Sequence, residues 1–265
     1  MEPENGSSSL ERTAKAARSR SPSNVRNATT HRHRFRLTLL AVFALLAAAW
    51  AGAALAHGVP APAVKPTQRL AALVSPHEVF SKPARESAPL GLVQARRPLT
   101  GERTVLPVLG ARVGWLHVML PGRPNGHTGW IRRQAAILRT TAWHLVVETS
   151  SRRVMVYRRG QPIRVFKAIV GKPATPTPRG QFFVEESIRL RATDVGAPFA
   201  LALSSRSNVL QEFDGGPGQI ALHGLDNVGG VLGTAVSHGC VRLADSAMRW
   251  LVVRIGPGVP VSITR

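Results

Sequence analysis

The sequence predicts a mainly β protein with one helix near its C-terminal end. From residue 69 onward, short runs of β-branched and aromatic residues alternate with Pro and Gly turns. One apolar pattern at i, i+3, i+4 and i+7, formed by Met248, Leu251, Val252 and Ile255, predicts a helix that Asp245 is expected to cap. The 265 residues leave room for about two domains, and 44% hydrophobic residues exclude a wholly disordered chain.

The N-terminal part is expected to reach a membrane. Residues 1–36 are rich in Ser, Arg and Asn, which predicts a disordered basic cytoplasmic tail. Residues 37–56 carry no charge and follow an Arg cluster, so they predict a transmembrane helix or signal anchor with everything after it outside. A signal peptide cleaved at Ala54-Leu55-Ala56 is the alternative, and residues 57–68 are expected to be a Pro/Ala linker.

A small β module is predicted over residues 69–139. Its strands, such as Thr104–Leu106 and Trp115–Met119, are too short and closely spaced for an α/β unit, which favours a small barrel or sandwich. The runs Gly114-Trp115-Leu116 and Gly129-Trp130-Ile131 resemble the closing strands of bacterial SH3-type barrels. This resemblance implies an SH3-like β-barrel.

A second β domain is predicted over residues 142–265. Strands are expected at Trp143–Glu148, Val154–Tyr157 and Ile163–Val170, joined by tight turns into a mainly antiparallel sheet. Gly256-Pro257-Gly258 should stop the helix, and Val259–Thr264 should form a last strand.

The charge of the chain is strongly positive, with 35 Lys and Arg against 14 Asp and Glu and a net charge of +21. The chain shows neither zinc-finger spacing nor an aromatic RNA-binding signature, so we expect no nucleic-acid partner. Anionic polymers or lipids would suit the charge equally well.

Cys240, the only cysteine, is the candidate nucleophile, and it excludes an intramolecular disulfide. His223 and His238 lie within 17 residues upstream, and a nearby imidazole can lower a thiol pKa and accept its proton. We therefore expect a thiol pKa below the ~8.5 of a free cysteine. Gly239 should permit close approach of a substrate, with the amides of Gly239 and Cys240 free to face an oxyanion.

Two other roles for the thiol remain open at this point. A free cysteine is commonly a buried, inert hydrophobe. A zinc site on His223, His238 and Cys240 would lack the fourth protein ligand of a structural site, so neither a metal nor a cofactor is expected.

The run Ser237-His238-Gly239-Cys240-Val241-Arg242 resembles the signature of bacterial L,D-transpeptidases, and His223 stands at the expected interval upstream. Val170–Gly180 is similar to the Gly/Thr-Pro loop of the family, and Pro198–Leu201 and Gly258–Val261 also match its layout. The resemblance extends from Trp143 to the end of the chain. It implies a β-rich, partly closed sheet with the cysteine in a cleft.

The resemblance also implies a reaction and its partners. Peptidoglycan stem peptides would be donor and acceptor: Cys240 would attack the carbonyl before a terminal D-amino acid, and an amine of a neighbouring stem would resolve the thioester into a 3→3 cross-link. A carboxypeptidase or endopeptidase in which water resolves the thioester, or a non-catalytic cell-wall-binding protein, is the alternative. The uncharged run 37–56 predicts a location in the cell membrane with the catalytic domain outside, or in the cell wall after signal cleavage.

By the same resemblance, His223 is the general base and is oriented by the backbone carbonyl of Gly224. His238 would line the site, Ser237 would support it, and Arg242 would meet a substrate carboxylate. The structural alternatives are a hydrogen-bonding role for His238, a turn residue for Ser237 and a surface charge for Arg242.

Overall fold

The computed structural model describes residues 63–265 except residue 214, and Pro62–Arg265 form one compact unit. Within that range the chain forms sixteen strands and one α-helix, which confirms the mainly β prediction with a single helix. The predicted tail and membrane span, at 1–36 and 37–56, lie outside the described residues. Between residue 63 and the C-terminus, leaving residue 214 aside, no helix has the length and apolar character to cross a membrane.

The first sheet has seven strands, and all its neighbouring pairs are antiparallel. Its order is β3-β2-β6-β5-β4-β1-β7. The strands are β1 (Gln68–Leu73), β2 (His77–Phe80), β3 (Pro89–Val93), β4 (Val105–Arg112), β5 (Trp115–Met119), β6 (Thr128–Arg132) and β7 (Ala136–Thr141). The SH3-like character of this region and the bounds of its module stay predictions.

The second sheet has nine strands in the order β14-β10-β15-β13-β12-β11-β16-β8-β9, and a further β9–β10 pairing closes it. Three of its pairs are parallel (β10–β14, β13–β15 and β16–β8), and the others are antiparallel. The strands are β8 (Trp143–Glu148), β9 (Arg153–Arg158), β10 (Gln161–Gly171), β11 (Gly180–Arg189), β12 (Phe199–Arg206), β13 (Gln219–His223), β14 (Ala235–Ser237), β15 (Val241–Leu243) and β16 (Pro260–Thr264).

Helix α1 spans Asp245–Val252 and covers the core of the second sheet with Met248 and Leu251, both fully buried. Ile255 lies beyond the last helical residue, but its side chain is also buried and its N–H donates to the Leu251 carbonyl at 2.8 Å. The apolar pattern therefore predicted the buried face correctly and overestimated the length of the helix.

The expectation that Asp245 caps this helix is wrong. Ala244 occupies the N-cap position, and no side chain makes a capping hydrogen bond there. Asp245 is the first helical residue, and its Oδ1 accepts a hydrogen bond from the Leu225 N–H at 2.7 Å. The carboxylate therefore stabilises the loop after β13, where the Leu225 N–H lies within hydrogen-bonding distance.

Polar and apolar contacts join the two sheets. Phe183 on β11 is buried in the apolar cluster of the first sheet. The fully buried Glu185 lies between two guanidinium groups, with Arg97 from the first sheet on Oε2 and Arg206 at 3.0 Å on Oε1. Each of these three side chains needs the others, because a buried charge without a partner is strongly destabilising.

Arg123, from the turn after β5, fastens the segment 207–218 that leads into β13. Its Nη1 donates to the Pro217 carbonyl at 2.8 Å, and its Nη2 donates to the carbonyls of Ser207 and Leu210 at 2.8 and 3.1 Å. One guanidinium thus holds both ends of this segment.

Candidate active site

Two parallel neighbouring strands, β13 and β15, bring the candidate residues together. Along β13 the side chains of Ile220 and Leu222 are buried in the core, so those of Gln219, Ala221 and His223 lie on the opposite face. Leu222 pairs with Val241, which places the preceding Cys240 beside the cleft face of β13. The Cys240 Sγ lies 4.0 Å from the Gln219 carbonyl oxygen.

The imidazole of His223 is held in one tautomer. Its Nδ1 lies 2.9 Å from the carbonyl oxygen of Gly224. Because a carbonyl can only accept, Nδ1 carries the proton and Nε2 is the free acceptor. This is the arrangement that a general base for a thiol requires.

Gly196 fixes the position of the same ring, and sequence reasoning missed it. A Cβ at this residue would overlap His223 Nδ1 and would lie 2.8 Å from Cγ. The Gly196 carbonyl also accepts the Gly224 N–H at 2.8 Å, so the loop before β12 supports the histidine loop. The positive φ of +82° is a further reason for glycine here.

Burial favours the neutral forms of both groups. It lowers the pKa of His223, with the Gly224 hydrogen bond opposing and the positive charge of Arg242 adding to the shift. Burial also raises the pKa of the Cys240 thiol, although a backbone hydrogen bond at Ala221 and the charge of Arg242 act in the opposite direction. The expectation of a lowered thiol pKa is wrong because desolvation outweighs the nearby positive charge. The resting pair is therefore a thiol and a neutral imidazole.

Ser237 organises the loop that carries the thiol. It is fully buried, and its Oγ donates to the Cys240 carbonyl at 2.6 Å and accepts the Gly239 N–H at 3.2 Å. The Gly239 amide is thus used within the loop, and the expectation that it is free to face an oxyanion is wrong. Gly239 itself has φ +126°, and a Cβ there would lie 2.9 Å from Ile220 Cδ1.

The Thr-Pro segment after β10 fastens the thiol loop from the other side. The Thr177 Oγ1 accepts the Gly171 N–H at 2.9 Å and donates to the Gly239 carbonyl at 2.8 Å. Thr175 Oγ1 donates to the Ser237 carbonyl at 3.3 Å. Sequence reasoning found this segment by resemblance but did not assign a role to its threonines.

His238 lies at the rim of the site. The residue is exposed, and its ring stacks on Phe213 with a centroid separation of 5.6 Å. Its Nε2 lies 3.4 Å from the Nζ of Lys172. Across the described residues, no three His, Cys, Asp or Glu side chains group together as a metal site would need.

Arg242 presents a donor without a partner beside the two reacting groups. It pairs with His223 across β13 and β15, and its Nη1 donates to the Gly229 carbonyl at 3.3 Å. Its Nε is buried and makes no hydrogen bond. A buried, unpaired guanidinium N–H is costly, and an anionic group placed against it would satisfy it.

Two cavities in the described part of the chain are not lined by Cys240. One, of about 710 Å³, lies on the first sheet against Leu92, Val93 and Leu120. Another, of about 630 Å³, is lined by Gly171 and Thr177 of the Thr-Pro segment. The site is therefore identified from its chemistry and not from cavity volume.

Residues 142–263 match the YkuD family, described as the L,D-transpeptidase catalytic domain. The YkuD protein of Bacillus licheniformis, which is named as an L,D-transpeptidase, is 30% identical over 125 residues, 47% of this chain and 67% of the relative. The chain belongs to the L,D-transpeptidase family. The matched range contains Cys240, His223 and the surrounding loops, and the match supports an acyltransferase-type enzyme.

A further relative and two solved structures are less similar in sequence. YkuD of Bacillus subtilis is 24% identical over 148 residues, 56% of this chain and 74% of the relative. L,D-transpeptidase 3 from Mycobacterium tuberculosis, solved with a faropenem-derived adduct, is 15% identical with a TM-score of 0.41, covering 61% of this chain and 91% of that one. The match to Bd1075 of Bdellovibrio bacteriovorus, 23% identical with a TM-score of 0.37, covers 46% of this chain and about half of that protein, 48%.

Proposed function

We propose that this chain is a peptidoglycan L,D-transpeptidase that forms 3→3 cross-links through a thioester on Cys240. The observation that carries the proposal is the His223 imidazole, which is protonated on Nδ1 by its contact with Gly224 and free on Nε2, beside the only thiol of the chain. Membership of the L,D-transpeptidase family supplies the substrate class, the stem peptides of the cell wall.

Both groups are neutral at rest, so proton transfer accompanies the attack. His223 Nε2 takes the thiol proton as Sγ adds to the carbonyl that precedes the terminal D-amino acid, and the same proton passes to the leaving amine. The products of this half-reaction are a thioester and a free D-amino acid. In the second half, the amine of a neighbouring stem attacks the thioester, and the thiol regains a proton through His223.

The oxyanion of each tetrahedral intermediate needs a donor. Since Ser237 takes the Gly239 amide, the Cys240 amide is the donor that this loop offers. The unpaired Nε of Arg242 would meet a carboxylate of the stem peptide. His238 and Lys172 at the rim would contact more distant parts of the substrate.

The stem peptides lie outside the cytoplasm, which fits a chain anchored by residues 37–56 with its catalytic domain outside, or secreted to the wall after cleavage. The net charge of +21 would also favour contact with anionic cell-wall polymers.

Incubation with a disaccharide-tetrapeptide, followed by mass spectrometry, tests this function. We expect cross-linked dimers and free D-alanine from the full chain, and one covalent carbapenem adduct per chain. The Cys240→Ser variant should give neither, because a hydroxyl is a much weaker nucleophile than a thiol.

Tripeptide without dimers would replace the transpeptidase by a carboxypeptidase that uses the same thiol. Absence of both products and of the carbapenem adduct, with iodoacetamide modifying Cys240 only after denaturation, would favour a non-catalytic wall-binding protein.

A further inference from the structure

The peptide group between Gly224 and Leu225 is hydrogen-bonded at both of its polar atoms. Its carbonyl oxygen, on Gly224, accepts from His223 Nδ1 at 2.9 Å. Its N–H, on Leu225, donates to Asp245 Oδ1 at 2.7 Å. The carboxylate of Asp245 and the imidazole of His223 are therefore joined through a single peptide group.

The local backbone is built for this contact. Asp245 is half-buried in the first turn of α1, where it makes no cap for its own helix. Gly224 permits the approach, since a Cβ there would lie 2.6 Å from Asp245 Oδ1 and would overlap the Ala197 carbonyl oxygen. A larger residue at 224 would push the carboxylate and the peptide apart.

We propose that Asp245 is a positioning residue for the reaction, acting on His223 through the Gly224–Leu225 peptide. By accepting the Leu225 N–H, it fixes the plane of the peptide and hence the direction of the carbonyl. Its negative charge polarises that peptide, because hydrogen bonds in series strengthen one another. A more negative carbonyl oxygen favours the Nδ1–H tautomer and makes Nε2 a stronger base.

Other charges act on the same groups from each neighbouring element. Arg242 on β15 pairs with His223, and its positive charge acts on the imidazole. Asp226, from the loop after β13, faces Asp245 and the positive charge of Arg249 on α1. The hydrogen bond to Asp245 and the negative charge of that carboxylate raise the pKa of Asp226.

The test compares Asp245→Asn and Asp245→Ala in the full chain labelled with ¹⁵N-histidine. Asparagine can still accept the Leu225 N–H through its oxygen but carries no charge. We expect the His223 titration measured by NMR to move to lower pH by about one unit in Asp245→Asn, the order of a Coulomb interaction across an intermediate dielectric. The acid limb of the carbapenem acylation rate should move in the same direction, because only the neutral ring acts as base.

In Asp245→Ala the hold on the peptide is lost as well. We expect the Nδ1–H preference of His223 to weaken in the NMR spectrum and acylation to fall by about tenfold or more, with the circular dichroism spectrum unchanged. Glu86→Gln is the control, since this exposed residue in the loop between β2 and β3 undergoes the same charge change away from the site. It should leave the titration of His223 unchanged.

If His223 titrates at the same pH and keeps the same tautomer in both Asp245 variants as in the wild-type protein, the inference is wrong, and Asp245 is only a residue at the start of a helix. The consequence for rate rests on the proposed function, but the NMR titration does not. A wild-type protein that is not acylated would refute the proposed function, while the titration shift would still decide the role of Asp245.

Discussion

Replacing Gly196 by alanine should remove most of the acylation activity while the protein stays folded. The added Cβ would overlap His223 Nδ1 and lie 2.8 and 3.1 Å from Cγ and Cε1 of the same ring. Backbone atoms on both sides of Gly196 are fixed, because its N–H donates to the Asp226 carbonyl and its own carbonyl accepts the Gly224 N–H, both at 2.8 Å. The ring must therefore move, and it loses its contact with the Gly224 carbonyl.

The size of the effect follows from two separate costs. A residue with a Cβ at φ +82° costs about 1–2 kcal/mol in the free energy of unfolding. A displaced general base costs ~10²–10⁴-fold in rate. We expect a second-order rate constant for carbapenem acylation of Cys240 that is lower by about 10² or more, with only a small fall in the unfolding midpoint.

The control variant Gly101→Ala has the backbone strain of a Cβ at positive φ without the displacement of the His223 ring. Gly101, in the connection between β3 and β4, has φ +68°, and no atom beyond its chain neighbours lies within 4 Å of its added Cβ. Stopped-flow acylation and thermal unfolding of both variants should show a similar loss of stability and a loss of acylation in Gly196→Ala alone. If Gly196→Ala is acylated within about two-fold of the wild-type rate, or if both variants slow equally, the account of the His223 ring is wrong.

Two further predictions concern stability. Burial lowers the pKa of His144 to about 4 from 6.5, so the unfolded chain binds the proton first, and the free energy of unfolding should fall as pH drops from about 6.5 to about 4. The part of this loss that is due to His144 should reach up to about 3 kcal/mol and be missing from His144→Gln. Urea titrations should therefore show a wild-type curve that falls more steeply than that of the variant across this range; parallel curves would contradict the prediction. Glu185→Ala leaves the buried Arg206 without its anion and Arg97 with Glu186 alone, at 3.7 Å, so it should destabilise by about 3–5 kcal/mol in urea titrations. The exposed Glu86→Ala should cost little, and a similarly small loss for Glu185→Ala would mean that the triad contributes almost nothing.

Local patterns in the sequence predicted the parts of the fold that local chemistry determines. The strand at Trp143–Glu148 coincides with β8, and the apolar spacing predicted which face of α1 is buried. Both depend on periodicity over a few residues. The predicted C-terminal end of α1 was wrong because the side chain of Ile255 is buried although the residue lies beyond the last helical turn.

The site itself was only partly predictable. His223 and Cys240 were recognised from a motif. Gly196, which lies against the His223 ring, and Thr177, which holds the Gly239 carbonyl, are distant in sequence and are brought to the site only by the pairing of the strands in the second sheet. The direction of the thiol pKa shift depends on desolvation, which is a property of the packed cleft and not of neighbouring residue types. The role of Asp245 was missed because its helix-start position predicts a cap, while its real partner lies twenty residues upstream.

The fastening of segment 207–218 by Arg123 bears on where the chain can be shortened. The family match begins at residue 142, so a protein trimmed to that boundary would lack Arg123 and lose its bonds to both ends of the segment. Phe213, which stacks on His238 at the rim of the cleft, belongs to this segment. Trimming would also open the apolar surroundings of Phe183 to water. The limit of sequence similarity is thus a poor place to cut, because Arg123 and the apolar cover of Phe183 both lie before it.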